Sequence, residues 1–436
     1  MIYWAQLFHF YQPPTQIPVI LEKICNESYK PLLEVFRQHP HAKATINISG
    51  VLFEMLQDYG HREIIASIRE LGQKGQVEFT GSGKYHPILP LLPQSERRRQ
   101  IELNAMTLRY FLGKDYAPKG FFPPEMCFNG EIVPDVIATG HKWIILSGIA
   151  CPVAWPVDKV YEIEHEGRKV PVFFRDDILS NKISFKKIGS GDFLEHLKQS
   201  KGDKENVYVI TAMDAETYGH HIQNWEKLFL AAVYEQLRPS QQTYAAIKQA
   251  TVLAALQSAL LGSPEFAQEV KTVTISELLE IFPRGEVVSP KSSSWSTSAE
   301  DTANGNPFPL WQDKDNEIHR LQWEHLRLCI EMVTIAEWVN EVEDAGNEQS
   351  KIFAGIARGL LDVAEHSCQF WWASHRPMWD VNLIHLGLIS QWRALVNAYR
   401  AINMSGADAQ IKTQYYHKLV AARDIRNKIV DRLFIL

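Results

Sequence analysis

The sequence predicts an α/β fold, an incomplete barrel of parallel β-strands followed by a C-terminal bundle of α-helices. Three observations carry this expectation. Through residues 1–281 short apolar runs alternate with amphipathic helical stretches, the pattern of a parallel sheet. Residues 282–315 are polar and rich in Pro, Ser, Gly and Asn, yet carry Trp295, Phe308 and Trp311. From residue 316 onward the apolar spacing is helical.

Taken in chain order, the expected strands are Tyr3–Phe10, Ala44–Ile48, Val77–Thr80, Gly120–Phe122, Trp143–Leu146, Val170–Phe174 and Val207–Met213. Each is short, rich in Val, Ile and Phe, and bounded by polar or turn residues, as buried strands are. Seven strands separated by helices suggest a barrel that does not fully close. Ser95 is placed to cap a helix running to Leu112, with Ile101, Ala105, Leu108 and Leu112 on one face and Gly113 as its stop. Arg97-Arg98-Arg99 reads as the solvated face of that helix. The 282–315 segment is long for a structureless connection within a compact chain, which points to an active-site loop rather than a linker. Beyond it, Ile318, Leu321, Leu328 and Met332 form one helical stripe, Phe353, Ile356, Leu360 and Val363 another, and a last helix is expected from about Ala407 to Leu433. The expected organisation is therefore a barrel over 1–281, a loop over 282–315 and a helical domain over 316–436.

Composition narrows the class. A formal charge of -6 on 436 residues argues against a nucleic-acid partner. No run of ~18 apolar residues is present, so no membrane span is expected. Cys25, Cys127, Cys151, Cys329 and Cys368 are scattered, odd in number and without a CxxC pair, which fits free thiols in the cytoplasm. The first residues, Met1-Ile2-Tyr3-Trp4-Ala5-Gln6, lack the features of a signal peptide. Aromatic residues reach 11%; flat rings hold sugars, but they also fill cores.

In barrels of parallel strands, chemistry sits at the C-terminal strand ends. Five of the expected strands end in ionisable residues: His9-Phe10-Tyr11-Gln12, Glu78 through His86, Pro123-Pro124-Glu125, Arg175-Asp176-Asp177, and Asp214-Ala215-Glu216 through His220-His221. Convergence of five such ends on one rim suggests a site. Glycoside hydrolysis requires two carboxyl groups across the scissile bond, about 5–5.5 Å apart when configuration is retained. Glu125 and Asp214 each directly follow an apolar run, which would hold them on rigid elements. The apolar neighbours of Asp214 would raise its pKa and suit a proton donor.

These stretches resemble, in order and spacing, the motifs of glycoside hydrolase family 57, whose members act mostly on α-glucans. His9-Phe10-Tyr11-Gln12-Pro13 is similar to its first motif, with Tyr11 in place of a second His. Gly75 to Thr80 is similar to the second, the Glu125 segment to the third, and Asp214 to His220 to the fourth. Tyr85-His86-Pro87, Phe174-Arg175-Asp176-Asp177 and Ser294-Trp295-Ser296 resemble segments of amylase-type members. The resemblance implies an incomplete (β/α)7 barrel with a helical bundle. It implies a retaining glycosidase acting on an α-glucan or maltooligosaccharide, with Glu125 as nucleophile and Asp214 as general acid/base, and with no metal or cofactor. It further implies His9, Gln12, Glu78 and Glu216 in the donor subsite. His86 and His220 are additional candidate substrate contacts, and Trp295, Trp311 and Trp371 are candidate sugar platforms. The family's fifth motif often carries an Asp; here His366-Ser367-Cys368-Gln369-Phe370-Trp371-Trp372 has none, which leaves the acceptor open between water, a glucan chain end and a branch-forming hydroxyl.

Two other readings compete. His9, His86, His220, His221, Asp176 and Asp214 contain the donor types of a metal-dependent hydrolase, although Phe10-Tyr11 supplies no ligand where such barrels need one. A non-catalytic glucan-binding protein would keep the rim but not require both carboxyls. Oligomeric state is not encoded in any motif.

Overall fold

A computed structural model describes residues 1–239, 266, 269–341 and 347–434. The chain divides into two compact units, one comprising Met1–Gln12, Gln16–Lys84 and Leu89–Trp295, the other Pro13–Thr15, Tyr85–Ile88 and Ser296–Leu436.

The first unit is built on a ten-stranded sheet. Its strands are β1 (Ile2–Phe10), β2 (Ala44–Ile48), β3 (Val77–Gly81), β4 (Gly120–Phe121), β5 (Trp143–Leu146), β6 (Val160–His165), β7 (Arg168–Phe174), β8 (Val207–Asp214), β9 (Val270–Val273) and β10 (Arg284–Val287). The sheet order is β10-β6-β7-β5-β4-β3-β2-β1-β8, with β9 beside the first half of β1. Every pairing is parallel except β6 with β7. The sheet curls so that the chain leaving β7 reaches β8, where the Asp176 N–H donates to the Ile210 carbonyl at 2.8 Å. Side chains from β1, β5, β7 and β8, with Phe122, Met126 and Ile275, fill one apolar core. Burial of this kind, roughly 1.5–3 kcal/mol for each large side chain, fixes the strands and hence the positions of their ends.

All seven expected strands are present, with ends shifted by no more than two residues. Three strands were not expected. β6 carries Glu162 and Glu164 among its apolar residues, and it joins β7 through Glu166 and Gly167, both at positive φ (49° and 74°), in a tight hairpin. β9 and β10 are four residues each and carry Lys271, Thr272, Arg284 and Glu286, so neither reads as an apolar run. Positions 282–315 do not behave as a single loop. Their first part supplies β10 and belongs to the first unit, and the remainder, from Ser296, belongs to the second and contains the helix Ala299–Ala303.

The helix expected from Ser95 spans Gln94–Leu112 and stops at Gly113, whose φ is 65°. Of its arginines, Arg98 is exposed and Arg99 half-buried, but Arg97 is not part of a solvated face. Arg97 is buried, its Nε 2.6 Å from Asp135 Oδ2, and the Arg98 Nε lies 2.9 Å from Oδ1 of the same buried carboxylate.

The second unit consists mainly of helices Glu317–Glu341, Glu348–Ala364, Cys368–Trp371, Val381–Met404 and Ala409–Arg432. Ile318, Leu321, Ile384, Leu388, Ile425 and Ile429 form its apolar centre. Trp323 stacks face to face on Phe370 at 4.0 Å and donates its Nε1–H to the Trp311 carbonyl.

Candidate active site

The register of the sheet sets the levels of the polar side chains. His9, Asn47 and Asp214 are aligned across β2, β1 and β8. The Asn47 Nδ2 donates to Thr80 Oγ1 at 2.8 Å, so its Oδ1 is the atom that accepts from the His9 Nδ1–H, 2.7 Å away. This hydrogen-bond chain fixes the His9 tautomer and leaves the lone pair on Nε2. Burial lowers the His9 pKa to about 4, so the ring is neutral. It stacks on Phe122 at 5.0 Å and meets Trp295 edge-on at 5.7 Å.

Glu125 follows β4 and two prolines. Its backbone lies in the left-handed region (φ 59°), as does that of Met126 (φ 49°). Two consecutive non-glycine residues there cost about 1–2 kcal/mol each. Neighbouring backbone holds the turn in place. The Met126 and Cys127 N–H groups donate to Pro123 and Pro124, and the Trp295 N–H donates to the Glu125 carbonyl at 3.1 Å. Phe128 and Ser293 exchange both backbone hydrogen bonds, at 2.8 and 3.1 Å. The Ser293–Trp295 stretch thus clamps the Glu125 turn, and the Trp295 indole N–H adds a 2.8 Å hydrogen bond to Glu125 Oε2. Burial, reinforced by the charge of Asp214 and opposed by the Trp295 bond, pushes the Glu125 pKa up to about 8.

Asp214 closes β8. Burial raises its pKa, and the Arg175 guanidinium opposes the shift. Arg175 is itself occupied by the Ala212 carbonyl, Asp177 and Asn181 at 2.7–2.9 Å, and it lies over the Trp295 ring at 5.8 Å. Glu216, two residues beyond the strand end, is also raised, by burial and then by Asp214, against hydrogen bonds from Tyr29 and Gln12. Gln12 Nε2 donates to Glu216 Oε1 at 2.7 Å, and the Tyr29 hydroxyl donates to the same oxygen. His220 pairs through Nδ1 with Glu27 Oε2 at 2.6 Å.

The structure therefore brings His9, Gln12, Glu125, Asp214, Glu216, His220 and Trp295 to the C-terminal strand ends of the first unit. It does not place Glu78 among them. Glu78 is level with Leu7 and Thr45, two residues below His9 and Asn47 in the register. Its Oε1 accepts from the Thr45 hydroxyl at 2.8 Å and from the Ser276 N–H at 3.0 Å, at a mouth lined by Lys43, Gly75, Ala117 and Lys119. These four residues precede strands, so this is the N-terminal end of the barrel, opposite the rim where a donor-subsite contact was expected. His86, Trp311 and Trp371 belong to the second unit. His86 is fully buried with Nδ1 3.0 Å from Ser367 Oγ, and Trp311 is 1% exposed, so neither offers the ligand surface expected of it. Trp371 is half-buried. Tyr29 and Asn47 are the residues that sequence reasoning missed; Asn47, an amide near the end of a buried strand, was a readable signal.

The sequence model of glycosyl hydrolase family 57 matches residues 6–259, more than half of the chain and all of the strand ends that form this cluster except the Trp295 clamp. The chain belongs to glycosyl hydrolase family 57. It is 29% identical over 219 residues to an α-amylase of Pyrococcus horikoshii, covering 48% of this chain and 33% of that protein. It is 24% identical over 252 residues to a 4-α-glucanotransferase of Thermococcus litoralis, covering 54% of this chain and 37% of that one. The chain thus spans about a third of the length of these curated relatives. A family 57-type branching enzyme from Pyrococcus horikoshii shares the fold, with a TM-score of 0.67 at 15% identity over 98% of this chain and 94% of that one. The incomplete (β/α)7 barrel followed by helices is thus the family 57 architecture, interrupted here by the β6–β7 hairpin.

Proposed function

We propose that this family 57 chain is a retaining glycosidase acting on α-1,4-linked glucans, with Glu125 as nucleophile and Asp214 as general acid/base. The observation that carries the reading is the pairing of two half-buried carboxyls, one after β4 and one ending β8, close enough for the Asp214 charge to raise Glu125. In the first step the Asp214 O–H protonates the glycosidic oxygen as Glu125 Oε attacks the anomeric carbon. The C–O bond breaks, the leaving chain departs with its new hydroxyl, and a glycosyl ester forms on Glu125. In the second step the Asp214 carboxylate takes a proton from the incoming hydroxyl, which attacks the same carbon and releases Glu125. Two inversions retain the configuration. The Trp295 indole N–H favours the ionised form of Glu125 and orients it. His9 stacks on Phe122 beside this pair, and Gln12 and Glu216 flank it, which suits them to hold the donor sugar.

The identity of the second-step acceptor decides between hydrolysis, 4-α-glucanotransfer and branching, and relatives bearing the first two names match this chain to a similar degree. Incubation with maltooligosaccharides of defined length tests the proposal. Shorter products with retained anomeric configuration are expected; longer products as well would make it a transferase, and a new α-1,6 signal by NMR a branching enzyme. No turnover of any α-glucan would leave a binding protein. The free state of the five cysteines supports a cytoplasmic location. Among the described residues no helix is long and apolar enough to cross a membrane.

A further inference from the structure

We infer that Gln16 is a positioning residue of the donor subsite: it decides which way round the Gln12 amide sits, and through Gln12 how the Glu216 carboxylate is held. The inference rests on the reading of Gln12 and Glu216 as donor-sugar contacts.

The oxygen and nitrogen of a glutamine amide are nearly equal in shape, so partners have to set its polarity. Here a chain of hydrogen bonds sets it. The Ile17 backbone N–H, which can only donate, reaches Gln16 Oε1 at 3.1 Å. Gln16 therefore turns its Nε2 to Gln12 and donates to Gln12 Oε1 at 2.8 Å. That leaves Gln12 Nε2 facing Glu216, where it donates to Oε1 at 2.7 Å. Turning over either amide alone would set like groups against each other at both of its ends. Turning over both would leave two such conflicts, at Ile17 and at Glu216. Glu216 Oε1 serves as the acceptor whether or not Oε2 carries a proton, so the polarity of the chain does not depend on the ionisation of that group.

The far end of the chain is anchored in the fold. The Ile17 carbonyl accepts from the Ile20 and Leu21 N–H groups, both at 3.1 Å, and so starts the helix Pro18–Ile24. That helix runs on into a π-helical turn, Cys25–Tyr29. Such turns are rare and concentrate at functional sites. Tyr29, the last residue of the turn, donates from its hydroxyl to the same Glu216 oxygen that Gln12 reaches. One continuous helical segment thus governs both donors: Gln16 in front of it orients Gln12, and Tyr29 at its end supplies the second hydrogen bond. Two donors on one oxygen fix the plane of the carboxylate. The segment also lies directly against the chain that carries Glu216. Ser28 Oγ donates to the Ala215 carbonyl at 2.9 Å. Gly219 has a φ of 111°, and a Cβ there would lie 1.8 Å from the Glu27 carbonyl oxygen. Gln12 and Glu216 are buried, whereas Gln16 is half-buried, so Gln16 can be exchanged without opening the core.

Two substitutions of opposite polarity at Gln16 test this. Gln16→Lys keeps a donor for Gln12 Oε1. Gln16→Glu offers only acceptors and turns the Gln12 amide over, so that its oxygen meets Glu216. Gln16→Glu is expected to lower kcat/KM on a maltooligosaccharide about 10–100-fold, mostly through KM, and Gln16→Lys to stay within about threefold of wild type. In a Gln12→Met background, which has no amide to orient, Gln16→Glu should cost no more than about twofold further. A cycle of thermal midpoints reads the same link without substrate. Gln16→Glu lowers the midpoint by about 1–3 °C when Gln12 is present, and by less than half as much when position 12 carries Gln12→Met. Equal losses for Gln16→Glu and Gln16→Lys, or a loss undiminished in the Gln12→Met background, overturn the inference. If the wild-type protein turns over no α-glucan, the proposed function falls, and the thermal cycle alone decides whether Gln16 orients Gln12.

Discussion

At the N-terminal mouth of the barrel Glu78 is half-buried and accepts hydrogen bonds from Thr45 and Ser276, while at the opposite rim the half-buried Glu125 and Asp214 are grouped with the buried Glu216. All four carboxyls are raised above their ordinary range, and burial is the first cause at each. Neighbours separate the two ends. Around Glu78 every further contribution lowers the pKa: hydrogen bonds from Ser276 and Thr45, and the charge of Lys119. At the rim the charge of Asp214 raises both Glu125 and Glu216. One end satisfies its acid, and the other crowds acids against each other. Crowding of like charges is costly for folding, and it is the condition under which one carboxyl ionises while its neighbour keeps a proton, as acid and nucleophile must. The strained Glu125 backbone belongs to the same account, since it is retained at the proposed catalytic rim and nothing in β4 itself demands it.

The largest expected effects break the rim. Glu125→Gln and Asp214→Asn should each lower turnover of a labelled maltooligosaccharide by about 10²–10⁴ or more without loss of far-UV circular dichroism. Azide added to Glu125→Ala should yield a glycosyl azide, which separates nucleophile from acid. Stability should move the opposite way. A carboxyl whose folded pKa lies above its unfolded value binds its proton more tightly when folded. It therefore contributes stability below the unfolded pKa and loses it as pH rises toward about 8, the folded value for Glu125. Glu125→Gln should consequently melt higher than wild type at and above about pH 8, with the difference shrinking in mild acid. A near-normal rate in either variant removes that residue from its role.

Trp295→Phe sharpens the comparison by altering one hydrogen bond at the rim. The indole N–H favours ionised Glu125, and a hydrogen bond to a charged group contributes about 1.5–3 kcal/mol. Losing it raises the Glu125 pKa further and moves the acid limb of the kcat/KM profile upward by about one pH unit. At neutral pH the rate falls about 10-fold or more, and part of it returns as pH rises. Phenylalanine keeps a ring against Phe122 and His9, so a fall that is the same at every pH would mean that the indole serves only packing.

Much of this was legible in the sequence, and the failures have physical causes. The seven parallel strands were readable because each is a short run buried on both faces, whereas β6 was hidden by its glutamates and β9 and β10 by the polar residues Lys271, Thr272, Arg284 and Glu286. Glu125 and Asp214 were readable because Asp214 closes an apolar strand and Glu125 follows one after two prolines. Glu78 was misplaced because a motif gives the order of residues and not their height: it is the second residue of β3, and three more follow before the strand ends. Tyr29 could not be found because a π-helical turn leaves no periodic mark, and its partner lies 187 positions away. His86 and Trp311 failed as candidate contacts because sequence does not distinguish a side chain offered to a ligand from one packed inside, and both are packed.

The smallest catalytic effect is expected at Glu78, where the contrast between the two ends is easiest to lose. Glu78→Ala removes the acceptor of the Thr45 hydroxyl and the Ser276 N–H, leaving two donors to find water at the mouth. A cost of about 1–3 kcal/mol in denaturant unfolding is expected, with kcat/KM on maltooligosaccharides within about threefold of wild type wherever the protein remains folded. Glu78→Gln retains an oxygen for both donors and should recover most of that stability. A large rise in KM for Glu78→Gln with unchanged stability would mean that this carboxyl reaches the sugar, and that the division between a satisfied end and a crowded end is drawn in the wrong place.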